Sequence, residues 1–260
     1  MHDVNFTIII PTYNRPNTVS KSIDSVLKQT YGNWQLLVII DDEIEKYKNL
    51  IDTYKNEGKI TFLKNPKNLG KNRSLNYALD YLKNDNFQGF IIFLDDDDWL
   101  NHECLKDFTK AIVENSEINW FVSERANADT KQPYTINKTG GNLINYETDM
   151  LLRRKFTGDT TQCLHFETFN KIRFSTLIKN AEEWLYFAEI AKMEKNFLFL
   201  PVIGTYSIGY ATDGLTYNYH NKKESWKNNF LVLKELRQRE LFSLPIIIYF
   251  TVRLLKSLIK

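Results

Sequence analysis

The four consecutive aspartates Asp95–Asp98 are the residues of this chain whose chemistry is easiest to interpret. They follow the apolar run Phe90–Leu94, which has the length and composition of a buried strand. Neighbouring carboxylates repel one another and resist burial, so the run requires solvent or a cation to compensate its charge. Carboxylate oxygens are ligands that Mg²⁺ and Mn²⁺ prefer. The run predicts a divalent-metal site at the end of a strand; the alternative is a solvated acidic turn before a helix that begins near His102.

Polar residues also follow two earlier apolar runs. The segment PTYNR at residues 11–15 comes after Phe6–Ile10, and Asp41 and Asp42 come after Trp34–Ile40. The first segment offers backbone N–H groups, a hydroxyl and an aromatic ring, which suit a nucleotide. A carboxylate of the second can accept hydrogen bonds from the imide N–H of uracil and from ribose hydroxyls. The open alternatives are a proline-initiated loop for residues 11–15 and a helix cap for the two aspartates.

A third polar segment, NLGKNR at residues 68–73, precedes a helical pattern. Helix N-termini attract phosphate, and Lys71 and Arg73 add positive charge there. The chain contains neither GxGxxG nor GxxxxGK[ST]. The sequence therefore does not support a dinucleotide-binding motif or a P-loop.

Strand-like and helical patterns alternate through the first 123 residues, which predicts a mainly parallel sheet flanked by helices. The predicted strands are Phe6–Ile10, Trp34–Ile40, Ile60–Leu63 and Phe90–Leu94. Ligands of such sheets bind beyond the carboxyl ends of the strands. We therefore expect the polar groups after the first, second and fourth strands to converge at one edge.

The alternation stops after residue 123. Residues 124–147 are polar and turn-rich, and we expect them to cross over the sheet. Beyond them, the patterns predict a helix over Glu182–Met193, a strand over Phe197–Ile203 and a surface helix over residues 222–242.

Taken in order, the motifs PTYNR, DD, NLGKNRSLNYAL and FLDDDDWL resemble those of the family 2 glycosyltransferases of GT-A fold. The resemblance covers about residues 5–110. Each motif alone is weakly specific, and the four motifs in this order along the chain are strongly specific. It implies a Rossmann-like α/β sheet with an irregular acceptor half and C-terminal helices. It also implies a nucleotide-sugar donor, usually a UDP-sugar, a Mn²⁺ or Mg²⁺ cofactor, and inversion at the anomeric carbon.

The resemblance also assigns residues. Asp95 and Asp97 would be the outer members of a DXD motif, with Asp97 as the direct metal ligand. The residues implied in donor binding are Pro11, Thr12, Tyr13, Arg15, Asp41, Asp42, Lys71, Arg73, Asp95 and Asp96. As candidates for the acceptor pocket we take Trp99, His165 and Trp184, although a lone histidine such as His165 is more often structural.

In the family, the general base is the Asp of a Glu-Asp pair at a helix start. This chain has Glu182-Glu183 at the matching place, so Glu183 is the predicted base, with Glu182 or Asp159 as the next candidate. Glutamate keeps the carboxylate and lengthens its reach by one methylene. The alternative is a pair of solvated glutamates in the first turn of a helix. Many relatives also have a histidine after the last core strand, and residues 205–210 contain none.

The basic charge is concentrated at the C-terminus: residues 222–260 contain nine Lys or Arg and three Glu, although the whole chain carries only +2. On a helix, Leu244–Lys260 would form a polar stripe and a wide apolar face. Such a helix suits an anionic membrane surface. The alternatives are packing on the protein or in a homodimer. We expect a GT-A domain over residues 1–221, with a donor half 1–123 and an acceptor half 124–221, followed by this basic amphipathic tail.

Composition gives no support for three other classes of protein: nucleic-acid-binding, disulfide-rich and membrane-spanning proteins. A net charge of +2 gives no support for nucleic-acid binding by bulk charge. Two cysteines give no disulfide framework, which fits a reducing compartment. We find no signal-peptide pattern and no apolar run long enough to span a membrane, so we expect a cytoplasmic protein that is peripheral on the inner face of the cell membrane.

The sequence therefore predicts a metal-dependent, inverting glycosyltransferase that uses a UDP-sugar and a glycan or lipid-linked acceptor in bacterial surface polysaccharide synthesis. Two alternatives remain: an inactive nucleotide- or sugar-binding module, and a sugar nucleotidyltransferase. The latter would favour a glycine-rich basic loop after the first strand, and PTYNR contains no glycine.

Overall fold

A nine-stranded mixed sheet forms the centre of the computed structural model, which describes residues 4–178, 182–208 and 222–259. The strands are β1 (Phe6–Thr12), β2 (Trp34–Ile40), β3 (Ile60–Lys64), β4 (Phe90–Phe93), β5 (Asp98–Leu100), β6 (Trp120–Asn127), β7 (Ile136–Asn137), β8 (Leu143–Asn145), β9 (Phe156–Thr157), β10 (Thr160–His165) and β11 (Asn196–Ser207). Strands β7 and β9 form a separate two-stranded ribbon.

The α-helices are α1 (Val19–Leu27), α2 (Lys48–Tyr54), α3 (Lys71–Asn84), α4 (Cys104–Glu114), α5 (Phe166–Phe169), α6 (Trp184–Met193), α7 (Lys222–Gln238) and α8 (Leu244–Ile259). A 3₁₀ turn (Ile44–Tyr47) precedes α2, and a π-helical segment (Tyr146–Leu152) follows β8. In the described part of the chain, no helix is long and apolar enough to cross a membrane.

The first half forms the parallel part of the sheet, in the order β3-β2-β1-β4. The sequences of these strands are nearly continuous apolar runs, because both faces of the sheet are covered. On β1, Ile8 and Ile10 enter one apolar core and Ile9 enters the other, as the alternation of side chains along a strand requires. The predicted parallel sheet with flanking helices is confirmed.

The second half extends the sheet in a way that the sequence did not predict. Strand β10 pairs antiparallel with both β4 and β6, and β11 runs parallel to β6 and antiparallel to β5. Residues 124–147, which we expected to cross over the sheet, instead continue β6 as far as Asn127 and return to the sheet as β8. The first and second halves of the chain therefore share one sheet.

Helices α7 and α8 also contribute to the apolar core on one face of the sheet. Val232 and Leu236 of α7, and Ile246 and Phe250 of α8, are buried there. The predicted C-terminal helices are confirmed. Part of the polar stripe of α8 faces the protein, because Tyr249 packs against Trp184 and Arg253 bonds Glu182, whereas Lys256 of the same stripe is exposed. The apolar side chains that remain exposed lie on another part of the helix: Leu244, Ile247, Ile248, Val252 and Leu255.

Candidate active site

The carboxyl ends of β1, β2 and β4 meet at one edge of the sheet, as the sequence predicts. The hydroxyl of Thr12, at the end of β1, donates to Asp96 Oδ2 at 2.9 Å, and the backbone N–H of Asp41 donates to Thr12 O at 2.9 Å. The hydroxyl of Tyr47 lies 3.2 Å from that of Thr12 and 3.2 Å from the N–H of Arg15. Tyr47 is a residue that the sequence analysis missed.

The aspartate run forms the turn between β4 and β5. Asp95, Asp97 and Asp98 can each direct one carboxylate oxygen to a common point, with the three oxygens within 4.8 Å of one another. Three hard oxygen donors at this separation fit Mg²⁺ or Mn²⁺. Asp98 adds to the predicted pair of ligands, Asp95 and Asp97. Its position is fixed because Ser22 Oγ donates to its carbonyl at 2.6 Å and β5 pairs with β11.

Three basic side chains hold these carboxylates. Arg15 Nη1 bonds Asp96 at 3.0 Å and Asp97 at 2.6 Å, and Arg125 Nη2 bonds Asp98 at 2.5 Å. Lys71 Nζ lies 2.6 Å from Asp95 and 2.7 Å from a carboxylate of the second half, that of Glu183.

The cluster retains excess negative charge, since five carboxylates face three basic groups. Burial raises the pKa of Asp96 to about 6 and that of Asp98 to about 7, although Arg15 and Arg125 oppose the shift. Burial would also raise the pKa of Asp95, but Lys71 and Arg125 outweigh it and lower that pKa. With all five carboxylates ionised the surplus would be two negative charges, which a divalent cation would neutralise, so the residues present fit the metal that the sequence predicts.

Asp41 and Asp42 have different surroundings. The buried carboxylate of Asp41 accepts hydrogen bonds from Asn65 Nδ2 at 2.8 Å and from the N–H groups of Leu69 and Gly70 at 2.7 Å each. Gly70 has a φ of +88°, which glycine adopts without strain, and α3 begins at the next residue. Asp41 therefore fixes the start of α3.

The side chain of Asp42 is only 7% exposed, and its carboxylate accepts a bond from the exposed Lys46 Nζ at 3.0 Å and one from the N–H of Glu43 at 2.8 Å. Burial opposes ionisation, but these bonds outweigh it and lower the pKa of Asp42. Of the two predicted uracil contacts, Asp41 is a buried residue and Asp42 is a partly exposed one. The ring of Tyr13 lies nearby in the same loop region and is 54% exposed, which leaves its face open to a base.

Not every predicted donor residue joins the cluster. The guanidinium of Arg73 bonds the carbonyl of Thr176 at 3.1 Å, although Lys71 lies two residues before it. Pro11 is part of β1, where it follows the buried residue Ile10 and continues the pairing with β2.

The two glutamates before α6 differ sharply. Glu183 is the half-exposed partner of Lys71. Glu182 has a φ of +61°, and its side chain is only 4% exposed. It accepts bonds from Trp184 Nε1 and Asn228 Nδ2 at 2.6 Å each, and it forms a bidentate ion pair with Arg253. Through these contacts, Glu182 binds residues of both C-terminal helices, α7 and α8. Its carboxylate is engaged by the protein, which does not support the catalytic role predicted for it.

A cavity of about 260 Å³ lies between the aspartate cluster and α6. Lys71, Asp95 and Glu183 line one side, and the indole of the predicted acceptor residue Trp184 lines another. Several polar residues of the second half that the sequence analysis did not place here also line it: Arg125, Thr160, Thr161 and Gln162. Asp159, the third candidate base, lies in the same wall.

The other two predicted acceptor residues lie elsewhere. His165 pairs with Phe90 at the start of β4, at the opposite end of that strand from Asp95, and its Nδ1 lies 2.8 Å from Thr168 Oγ1. This position does not support an acceptor role for His165. Trp99 lies on β5, where the ammonium of Lys21 stacks 3.2 Å from the centre of its ring.

Comparison with solved structures identifies the fold. The chain superposes on Staphylococcus aureus TarS 1–349 in complex with UDP-GlcNAc with a TM-score of 0.71, at 19% identity over 90% of this chain and 66% of that one. It superposes on the Pyrobaculum calidifontis mannosyltransferase PcManGT, in complex with GDP-Man and Mn²⁺, with a TM-score of 0.61, at 13% identity over 96% and 69%. The protein has the GT-A glycosyltransferase fold.

Sequence comparison identifies the family. Residues 7–179 match the family described as glycosyl transferase family 2, and the chain belongs to it. One relative is WfgD of Escherichia coli, a UDP-Glc:alpha-D-GlcNAc-diphosphoundecaprenol beta-1,3-glucosyltransferase, which is 41% identical over 101 residues, 38% of each chain. Another is the minor teichoic acid biosynthesis protein GgaA of Bacillus subtilis, 27% identical over 74% of this chain and 44% of its own. The chain thus spans less than half the length of either relative.

We predict different effects for the two aspartates after β2. Asp41→Ala leaves three buried donors without an acceptor and should lower the free energy of unfolding by about 3 kcal/mol. The matched change Asp42→Ala removes one ion pair to the exposed Lys46 and one bond from the adjacent N–H of Glu43, and should lower it by only about 1 kcal/mol. Urea denaturation measures both. Equal effects would mean that Asp41 does not organise the start of α3.

Proposed function

We propose that this protein transfers a sugar from a UDP-sugar to a hydroxyl group of a glycan or lipid-linked acceptor, with inversion and with a divalent metal. The observation that carries the proposal is that Lys71 forms ion pairs with both Asp95 and Glu183. They put a carboxylate of the second half beside the candidate metal ligands, at the edge of a cavity. In the proposal, the sugar binds in this cavity, with the leaving group towards the aspartates and the acceptor hydroxyl towards Glu183.

For the donor, the proposal assigns uracil to the region of Tyr13 and Asp42 and the diphosphate to the basic groups of Arg15 and Lys71. Guanidinium and ammonium groups bind phosphate oxygens through charge-assisted hydrogen bonds. Support comes from relatives: TarS structures are described with UDP and with UDP-GlcNAc, and WfgD is named as using UDP-Glc. PcManGT is described with GDP-Man, so GDP-mannose is the donor to compare against.

For the metal, Asp95, Asp97 and Asp98 would hold Mn²⁺ or Mg²⁺. When bound, the cation would neutralise charge that develops on the nucleoside diphosphate leaving group. The remaining work falls to side chains of the protein. Arg15 bonds Asp96 and Asp97, and Arg125 bonds Asp98, which keeps the carboxylates in position despite their mutual repulsion.

For the base, the proposal assigns Glu183. Inversion by a single displacement requires the acceptor oxygen to attack from the face opposite the leaving group. The hydroxyl proton then passes to a carboxylate within hydrogen-bond reach. Lys71 fixes the Glu183 carboxylate, and Arg253 and Asn228 fix the preceding residue, Glu182. Trp184, Arg125 and Gln162 line the space in which an acceptor would lie.

For location, we propose that the exposed apolar side chains of α8 dock on the cytoplasmic face of an anionic membrane. The basic residues of the C-terminal region would add electrostatic attraction. The name of WfgD supports a lipid-linked acceptor, since it specifies a diphosphoundecaprenol substrate. The role would be in bacterial surface glycan synthesis, which the name of GgaA also suggests.

Two other functions are separable by assay. An inactive binding module would bind UDP-sugar without releasing UDP. A sugar nucleotidyltransferase would exchange pyrophosphate with the donor, whereas a glycosyltransferase would slowly hydrolyse or transfer the sugar and release UDP. Incubation of the protein with UDP-glucose, UDP-GlcNAc and GDP-mannose in the presence of Mn²⁺, followed by product chromatography, distinguishes the three.

We predict that Glu183→Gln will lower turnover of the active donor by about 100-fold or more, the usual scale of general-base catalysis. Donor affinity, measured by calorimetry, should stay within a few-fold, because the amide keeps the shape of the carboxylate. Glu114→Gln, an exposed glutamate of α4, is the control and should have no effect. Full turnover by Glu183→Gln would refute the assignment and make Asp159 the next candidate.

We also predict that the protein sediments with vesicles that contain phosphatidylglycerol. Val252→Glu with Leu255→Glu puts charge on the exposed apolar face of α8 and should abolish sedimentation. The control Val113→Glu changes an exposed apolar residue of α4 and should not. If the α8 variant still sediments, or if it instead converts a dimer into a monomer, then this face does not dock on membrane.

A further inference from the structure

A second cavity, of about 250 Å³, lies between the π-helical segment Tyr146–Leu152 and α8. Its apolar surface comes from two leucines of the first element and from two aliphatic residues of α8: Leu151, Leu152, Ile248 and Val252. Three basic residues and one aromatic residue complete the lining: Arg154, Arg253, Lys256 and Tyr249. We call this cavity the basic groove. No carboxylate is among the residues that line it.

The three basic groups of the groove are not equivalent. Arg253 is committed to the protein, since it pairs with Glu182 and bonds Asn229 Oδ1 at 3.2 Å. Arg154 and Lys256 are exposed, and among the side chains described in residues 4–178, 182–208 and 227–256 no carboxylate lies within 4.0 Å of either group. Two positive charges therefore face the groove without neutralisation by the described chain.

The backbone at Arg154 is also unusual. Its φ is +51°, just beyond the C-terminal end of the π-helical segment. Glycine or asparagine is common at such a position because other residues are strained there. The strained residue here carries a guanidinium group to the edge of the groove.

The groove shares a wall with the cavity of the candidate active site. The ring of Tyr249, on the groove side, packs edge-on against that of Trp184, on the cavity side, with centroids 5.1 Å apart. Met150 lines the cavity, and the next residue, Leu151, lines the groove. A molecule held in the groove therefore lies next to the proposed acceptor space.

We propose that the basic groove binds the phosphate-bearing end of a lipid, with the phosphate on Arg154 and Lys256 and the start of the hydrocarbon chain on the apolar surface of α8. Charge complementarity selects an anion. The apolar lining selects a hydrocarbon chain, because a free phosphate would gain nothing from it. The exposed side chains of Ile247 and Leu255 extend an apolar surface along the same helix. The inference rests on the proposed function. It specifies that the acceptor of the transfer reaction is a sugar linked to a lipid phosphate, with the sugar in the cavity of the candidate active site.

The test uses the full chain and three probes in calorimetric titrations: dodecyl phosphate below its micelle concentration, inorganic phosphate, and uncharged dodecyl maltoside. We expect dodecyl phosphate to bind at least about 10-fold more tightly than either of the others. The double variant Arg154→Gly/Lys256→Ala should weaken binding of dodecyl phosphate by about 30-fold, the effect of two basic groups near an anionic lipid. Glycine suits the φ of Arg154, so this variant should fold, which its thermal midpoint verifies.

The matched control is Lys106→Ala/Lys110→Ala, which removes two exposed basic groups from α4 and should leave the affinity unchanged. The inference is overturned if the groove variant binds dodecyl phosphate as tightly as the unaltered protein does. It is also overturned if inorganic phosphate or dodecyl maltoside binds as well as dodecyl phosphate. Calorimetry of UDP with Mn²⁺ on the unaltered protein keeps the two proposals apart: failure to bind UDP would refute the proposed function, whereas failure to bind dodecyl phosphate while UDP still binds would refute the lipid site alone.

Discussion

The ammonium group of Lys71, held between Asp95 and Glu183, is the interaction on which the candidate site depends. Asp95 belongs to the turn after β4 in the first half of the chain, and Glu183 precedes α6 in the second half. Burial would lower the pKa of Lys71, but the two carboxylates outweigh it and raise that pKa, so the ammonium remains charged. Without this cation, two carboxylates would lie next to the rest of the aspartate cluster with their repulsion uncompensated. One side chain thus joins the first half of the chain to the second half.

Two other sets of contacts keep this ion pair in place. Asp41 binds the N–H groups of Leu69 and Gly70, so α3 begins at Lys71 and directs its ammonium group to the strand ends. On the opposite side, Arg253 of α8 holds Glu182, which fixes the residue before Glu183. The C-terminal helices are therefore structural neighbours of the proposed base, and a membrane bound to α8 would lie close to the acceptor space.

The sequence allowed the parallel half of the fold and much of the site to be predicted. Strands buried on both faces are continuous apolar runs; Asp41 and Asp95 each follow such a run directly, and Thr12 follows one after Pro11. The contribution of the second half was not predictable in this way. Arg125 and Gln162 reach the site because β6 and β10 enter the sheet beside β4, and no local pattern specifies that pairing. The inward orientation of Arg253 was missed because it depends on a buried partner, Glu182, 71 residues away.

The central claim is that the aspartate cluster binds a metal that UDP requires. Calorimetric titration of UDP into the protein with Mn²⁺, and again with EDTA, tests it most directly. We expect binding with Mn²⁺ and at least about 10-fold weaker binding with EDTA, since the metal screens the diphosphate from the carboxylates. Asp97→Asn should reproduce the effect of EDTA, whereas the exposed control Asp129→Asn should not. Equal affinity for UDP with and without metal, in the unaltered protein and in Asp97→Asn, would contradict the account.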